Sequence, residues 1–310
     1  MRSAGGPARV WAALAVVYVV WGSTYLFILL ASRTLPVFVM TSLRFLIAGG
    51  LLYAWSVRRG DRAGDRPGRR EWISASIVGG LLFLVGNSGV ALAEKRVDTG
   101  IASLIIAAVP LWMALFDRVA CGQRLSRTAL TGLALGFGGV ALLAWPSGPN
   151  RIDVWGAVAL LVSGSAWAAG SLYSRRAPLP RRPFVSAGMQ MLAGGVMCAI
   201  VAGATGEVTQ VHAVSTTSIL ALVYLIVIGS WLAFTAYAWL LRVTRTSLVS
   251  TYAYVNPLVA VFLGWAVENE SVSVRTIGAG AVILAAVALI VTPPKGERAT
   301  EPAPVPVRGK

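Results

Sequence analysis

The sequence predicts an all-α polytopic membrane protein, with ten transmembrane helices arranged as two inverted five-helix repeats. Three observations carry this. Hydrophobic residues make up 56% of the 310 and charged ones 13%, against roughly 25% charged in a soluble domain. Apolar runs of spanning length recur along the chain with little interruption. The second half also echoes the first at a constant offset. A single soluble core stops growing at about 250–300 residues and could not absorb this much apolar surface. Each membrane span takes about 20 apolar residues, so ten spans leave short connections and a tail.

Taken in order, the first run covers 11–31. It is long enough to span, and no small-residue cleavage site follows it, so it reads as a helix rather than a cleaved signal. The second, 36–57, opens at Pro36 and contains Arg44. The third, 72–92, carries Asn87 and Ser88, and the fourth, 99–117, contains Pro110. The fifth, 128–145, holds Gly132, Gly136, Gly138 and Gly139. The sixth is 154–174. The seventh, 183–203, opens at Pro183 as the second opens at Pro36. The eighth is 218–240. The ninth, 247–267, contains Asn256-Pro257, and the tenth, 275–292, has Gly278, Gly280 and several alanines.

Charge, Pro and Gly in 58–71, 118–127, 146–153 and 175–182 punctuate these runs. The divisions near 97 and 245 are connections of only about five to eight residues, where length rather than periodicity separates the helices. The chain is therefore organised as a cytoplasmic leader (1–10), a first repeat (11–150), a second repeat (151–292) and a Pro-rich cytoplasmic tail (293–310) expected to be disordered.

The formal charge is +15, from 27 Lys and Arg against 12 Asp and Glu. On a soluble protein that balance would suggest nucleic acid. With the N-terminus inside, 21 of the basic residues fall in inner segments and five in outer ones, while Arg44 lies within a span. Such an excess on the cytoplasmic side orients a membrane protein. Both termini are thus expected in the cytoplasm, and no nucleic-acid partner is implied. Cys121 and Cys198 form neither a disulfide framework nor a metal pattern.

The repeat rests on several matches. Leu43-Arg44-Phe45-Leu46-Ile47-Ala48-Gly49-Gly50 is echoed by Met189-Gln190-Met191-Leu192-Ala193-Gly194-Gly195. Thr99 through Pro110 parallels Thr246 through Pro257 at an offset of 147, and Gln123 meets Glu270 at the same offset. A five-span repeat is odd-numbered, so its second copy must insert upside down. Inverted repeats build many secondary transporters, whose substrates bind near the midplane between the halves.

The motifs then become familiar. They are Trp21-Gly22-Ser23-Thr24-Tyr25, Leu43-Arg44-Phe45, Asn87, Ala93-Glu94-Lys95-Arg96-Val97, Ser103-Leu104-Ile105, Val109-Pro110-Leu111-Trp112, the glycine-rich 132–143 and Asn256-Pro257-Leu258 with Glu270. As a set they resemble the EamA-type branch of the drug/metabolite transporter superfamily, in particular its metabolite and drug exporters, over nearly the whole chain except the tail. The resemblance implies a ten-helix carrier of the bacterial plasma (inner) membrane. It would export small amphipathic, amino-acid-like metabolites or drugs by alternating access. The other reading is an importer or exchanger of a small anionic metabolite. One departure is Gly122-Gln123, where the family often has Gly-Glu.

Arg44 is the sharpest local signal. It lies eight residues after Pro36, roughly 12 Å along a helix. A charge at such depth costs at least about 2.5–3.5 kcal/mol and normally faces water or a partner. It reads either as an anion-attracting or gating residue, or as a structural Arg on helix-end carbonyls. Gln190 is its counterpart in the second repeat. Trp21, Ser23, Thr24, Tyr25, Trp167, Tyr252 and Tyr254 combine rings with small polar groups, which suits a cavity for an apolar or aromatic solute. Asn87 and Asn256 add amides to the same candidate cavity. Pro110 and Pro257 break or bend their helices and are candidate hinges. Gly132 and Gly136 form a small-residue packing face; such faces also suit a homodimer.

No phosphate-cradling Gly-x-x-x-x-Gly-Lys-Ser/Thr segment is present, so transport driven by the chain itself would be secondary and need no cofactor. All twelve acids fall in loops or at span ends, with Glu94, Asp98 and Asp117 nearest the membrane. Asp117 is the candidate for proton coupling. One His and no midplane carboxylate pair argue against an enzyme, and a scaffold would not need proline-broken polar helices. The expected partners are a small-molecule substrate and the lipid bilayer.

Overall fold

A computed structural model describes residues 7–58, 67–121, 127–144, 153–244, 246–249 and 251–291. Among these residues the chain is helical and no strand occurs. The helices are α1 (Pro7–Ser32), α2 (Val37–Arg58), α3 (Arg69–Ala93), α4 (99–121), α5 (Arg127–Ala144), α6 (Val154–Ser174), α7 (Pro183–Ala204), α8 (216–243), α9 (246–268) and α10 (Val274–Val291). Seven stretches, in α1 to α4 and α6 to α8, are long and apolar enough to cross a membrane. Shorter apolar helices lie in α5, α9 and α10. The bounds differ from the expected ones by a few residues; α1 begins at Pro7, four residues before the expected 11.

Four rods are interrupted. In α4, Thr99–Ile106 is followed by a turn at Ala107 and Ala108 before Val109–Cys121 begins. Pro110 is the second residue of the new segment, where its missing N–H costs nothing. In α9, Thr246–Val249 precedes Tyr252–Glu268, which carries Pro257 inside it. The other two interruptions are π-helical. Gly80–Asn87 lies in α3 and Leu225–Leu232 in α8. Such wide turns are rare and concentrate at functional sites.

Packing follows the small residues. Helices α2 and α7 lie against each other along much of their length, as do α5 and α10. A β-carbon on Gly49 would sit 2.7 Å from that of Met191, and one on Gly188 would sit 2.9 Å from that of Tyr53. Only glycine permits this approach. Helix α1 packs on α8 and α9, and α6 packs on α3 and α4.

The two ends of the bundle differ in charge. One end gathers Glu94, Asp98, Asp153, Glu207, Glu268 and Glu270, half of the acids in the chain; we call it the acid end. There Glu207 accepts from the Phe38 and Val39 amides at 2.7 and 3.2 Å, capping α2. Glu270 accepts from the Thr99 amide (2.7 Å), the Thr99 hydroxyl (2.8 Å) and the Gly100 amide (3.1 Å), capping α4. Both place a carboxylate on the orphan N–H groups at a positive helix terminus. Arg33 pairs with Glu268 across the same end. The opposite end carries Arg58, Arg175, Arg176, Arg181 and Arg182. Large apolar side chains face outward all along the bundle, among them Ile200 and Phe262 at 65% and 59% exposure. They form the surface a bilayer would cover.

Candidate functional site

Arg44 is buried, at 7% exposure, and is the one charged residue of α2 before Arg58 at its end. Its Nε donates to Ser230 Oγ at 3.1 Å, and Nη1 donates to Asn87 Oδ1 at 3.4 Å. Ser230 lies in the π segment of α8, and Asn87 ends the π segment of α3. One guanidinium thus ties together the two π-helical segments found among the described residues. Its charge lies 4.9 Å from the Phe45 ring centroid, close enough for a cation–π contact. Gly229 leaves room for it, since a β-carbon there would come within 3.7 Å of Nη2 and 3.2 Å of Thr24 Cγ2.

Helix α1 supplies the next wall. Ser23 Oγ donates to the Val20 carbonyl at 2.8 Å and lies 2.7 Å from Tyr224 Oη. Thr24 Oγ1 donates to the Trp21 carbonyl at 2.6 Å. Trp21 stacks obliquely with Tyr237 and edge-on with Tyr252, at centroid distances of 5.0 and 5.1 Å. Tyr237 and Tyr252 meet at 6.0 Å. The three rings form an aromatic cluster between α1, α8 and α9. Asn256, with its amide nitrogen turned toward them, donates to the carbonyls of Tyr18 (3.2 Å) and Tyr252 (3.1 Å). It therefore holds α9 to α1 next to Pro257, whose ring removes a backbone donor from the same turn.

The remaining candidates divide. Trp167 packs against the π segment of α3, its ring 3.2 Å from where a β-carbon on Gly86 would stand. Gln190 donates to Ser186 Oγ at 2.9 Å along its own helix, and its backbone carbonyl lies where a β-carbon on Gly79 would have to go. Gly132 is buried, and Gly136 closes against Leu111 and Ala286 of α4 and α10. Asp117 sits at the arginine end, 43% exposed, with Arg176 3.6 Å away. The Tyr254 side chain, Gln123 and the tail 293–310 lie outside the described residues.

Glu94 lies at a span end, as its place in the sequence implies, but is buried there. It is the first residue after α3, and the helix end turns it inward to 4% exposure. Both carboxyl oxygens are buried, without a hydrogen-bond partner among the described residues. Tyr25, Arg44 and Glu270 are its electrostatic neighbours. Burial pushes its carboxyl well above the ordinary range and the charge of Glu270 adds to this, while Arg44 opposes. Burial and Glu270 also raise Asp98, in the same connection. Sequence reasoning missed Glu94 because Lys95, Arg96 and Asp98 beside it resemble a solvated loop. It also missed Ser230 and Tyr224, which only the folding of α8 against α1 and α2 brings in.

The whole arrangement is a polar cluster, with Arg44, Glu94 and Ser230 buried and Thr24, Tyr25 and Asn87 half-buried, flanked by three aromatic rings. Polar groups placed this way inside an apolar bundle can hold a charged or amphipathic solute. Among the described residues no group of His, Cys, Asp or Glu is placed to hold a metal ion.

The model of the EamA-like transporter family matches the chain twice, over residues 9–145 and 154–292. The chain is 37% identical over 279 residues to the "Uncharacterized inner membrane transporter YedA" of Escherichia coli strain K12, covering 89% of this chain and 88% of that one. It is 24% identical to a WAT1-related chloroplastic protein of Arabidopsis thaliana, over 90% of this chain and 69% of that one. A solved crystal structure aligns with a TM-score of 0.61 and 23% identity, covering 92% of this chain and 98% of its own, and so shares the fold.

Proposed function

This chain belongs to the EamA-like transporter family, and from that premise we propose that it exports small amphipathic solutes, amino-acid-like metabolites or drugs, by alternating access. It is a multi-pass membrane transporter acting on small molecules. In this reading all ten helices cross the bacterial inner membrane as two inverted five-helix repeats, with both termini in the cytoplasm and the acid end outside. Two features support the repeat: the doubled family match, and packing that exchanges under it. A shift of five helices carries the α2–α7 and α5–α10 pairs onto themselves, and exchanges α1–α9 with α6–α4 and α3–α6 with α8–α1. The surplus of Arg and Lys at the end opposite the acids supports the orientation.

The observation that carries the proposal is Arg44, a buried charge joining elements of both halves beside an aromatic cluster. Its cost inside a membrane is met by a polar cluster suited to a solute. Pro110, just after the turn at Ala107 and Ala108, and Pro257, inside the segment Tyr252–Glu268, then act as hinges. The test is accumulation of the amphipathic aromatic dye ethidium in cells. Cells producing the chain are expected to hold several-fold less dye than cells without it. Arg44→Ala should abolish the difference while the protein stays folded at the membrane. Higher accumulation with the chain would reverse the direction and favour uptake, with Arg44 as attractor for an anionic solute.

A further inference from the structure

Two opposite charges share one buried neighbourhood and are not joined. Arg44 donates from Nε to Ser230 and from Nη1 to Asn87, while both oxygens of Glu94 go without a donor among the described residues. An ionised carboxylate so placed, with no hydrogen bond, is among the costliest arrangements in a protein. A proton on Glu94 removes that cost. Without it, the cation that faces Glu94 is Arg44, and a shift of its guanidinium toward the carboxylate strains the bonds that hold the two π segments.

We propose that Glu94 is a proton-binding site, and that its protonation decides whether Arg44 holds the π segments of α3 and α8. With the proton bound, Arg44 ties Asn87 to Ser230, as seen here. When Glu94 gives its proton to water, the carboxylate draws the guanidinium to itself, and the two π segments separate. The groups facing Glu94 bear this out. Helix α2 contributes Arg44, α1 contributes Tyr25, and the α9–α10 connection contributes Glu270. Helix α6, packed along the same end of α3, has no charged residue, and Asp153 at its start turns to Arg96 at 3.4 Å. Arg44 is therefore the cation opposite Glu94. Asp117, half-exposed beside Arg176, has neither the burial nor this partner.

The inference deepens the transport reading by naming a coupled ion, but its test needs no substrate. In the purified full-length chain, infrared spectroscopy reads the C=O stretch of protonated carboxyl groups. The wild type at neutral pH is expected to show such a band. Glu94→Gln, which mimics the neutral form and should fold, is expected to lose it, and Asp117→Asn to keep it. As the pH is raised, amide hydrogen exchange in 80–87 and 225–232 should rise in the wild type relative to Glu94→Gln at the same pH. A wild type without the band, a band that survives Glu94→Gln, or identical exchange in the two proteins would overturn the proposal. A chain that shows these effects yet moves no solute would sink the transport reading and leave the proton site standing.

Discussion

At the scale of single residues, the molecule is organised by how it handles two buried charges. Arg44 donates to side chains from two other helices, whereas Glu94 has no hydrogen-bond partner among the described residues. The consequence for stability has a definite sign. A carboxyl whose native pKa lies above its unfolded value of about 4.5 keeps its proton in the folded state after the unfolded chain has lost it. The folded state is then favoured at low pH and loses stability as the pH rises toward the native pKa. Thermal unfolding in detergent should therefore show Glu94→Gln more stable than the wild type above neutral pH, with the difference shrinking in acid. A constant difference across pH would contradict this. Arg44 was legible in the sequence because a charge eight residues into an apolar run stands out. Glu94 was not, because only the turn at the end of α3 separates a surface acid from a buried one.

At the scale of elements, the helices follow from composition, but their irregularities do not. Slipping from i+4 to i+5 bonding leaves an apolar run as apolar as before, so neither Gly80–Asn87 nor Leu225–Leu232 announces itself. The break before Pro110 was readable, since proline restricts the residue preceding it. Helix contacts are set by glycines that differ sharply in kind. A β-carbon on Gly79 would collide with the Gln190 carbonyl and the Gly194 amide, backbone atoms that cannot turn aside. Gly79→Ala should cost about 1–3 kcal/mol of overpacking, seen as a lower thermal midpoint. Gly138 has nothing within 4 Å, so Gly138→Ala should be neutral, or stabilising by up to about 1 kcal/mol through helix propensity. Equal effects at the two sites would refute this account of the packing.

At the scale of the whole molecule, a chain with 13% charged residues places them in three ways. Arginines crowd one end, carboxylates cap helices at the other, and one cation in the apolar interior faces one acid buried at the acid end. The first follows from counting along the chain. The second needed the fold, because Glu207 and Glu270 cap helices far from them in sequence. The third is where the account can be tested most directly. Alternating access requires the polar cluster beside Arg44 to open to each side of the membrane in turn. In a chain carrying Cys121→Ser and Cys198→Ser, Thr24→Cys places a thiol beside that cluster. A membrane-impermeant maleimide should label it both in right-side-out and in inside-out vesicles. Labelling from one side only, or from neither, would contradict the account.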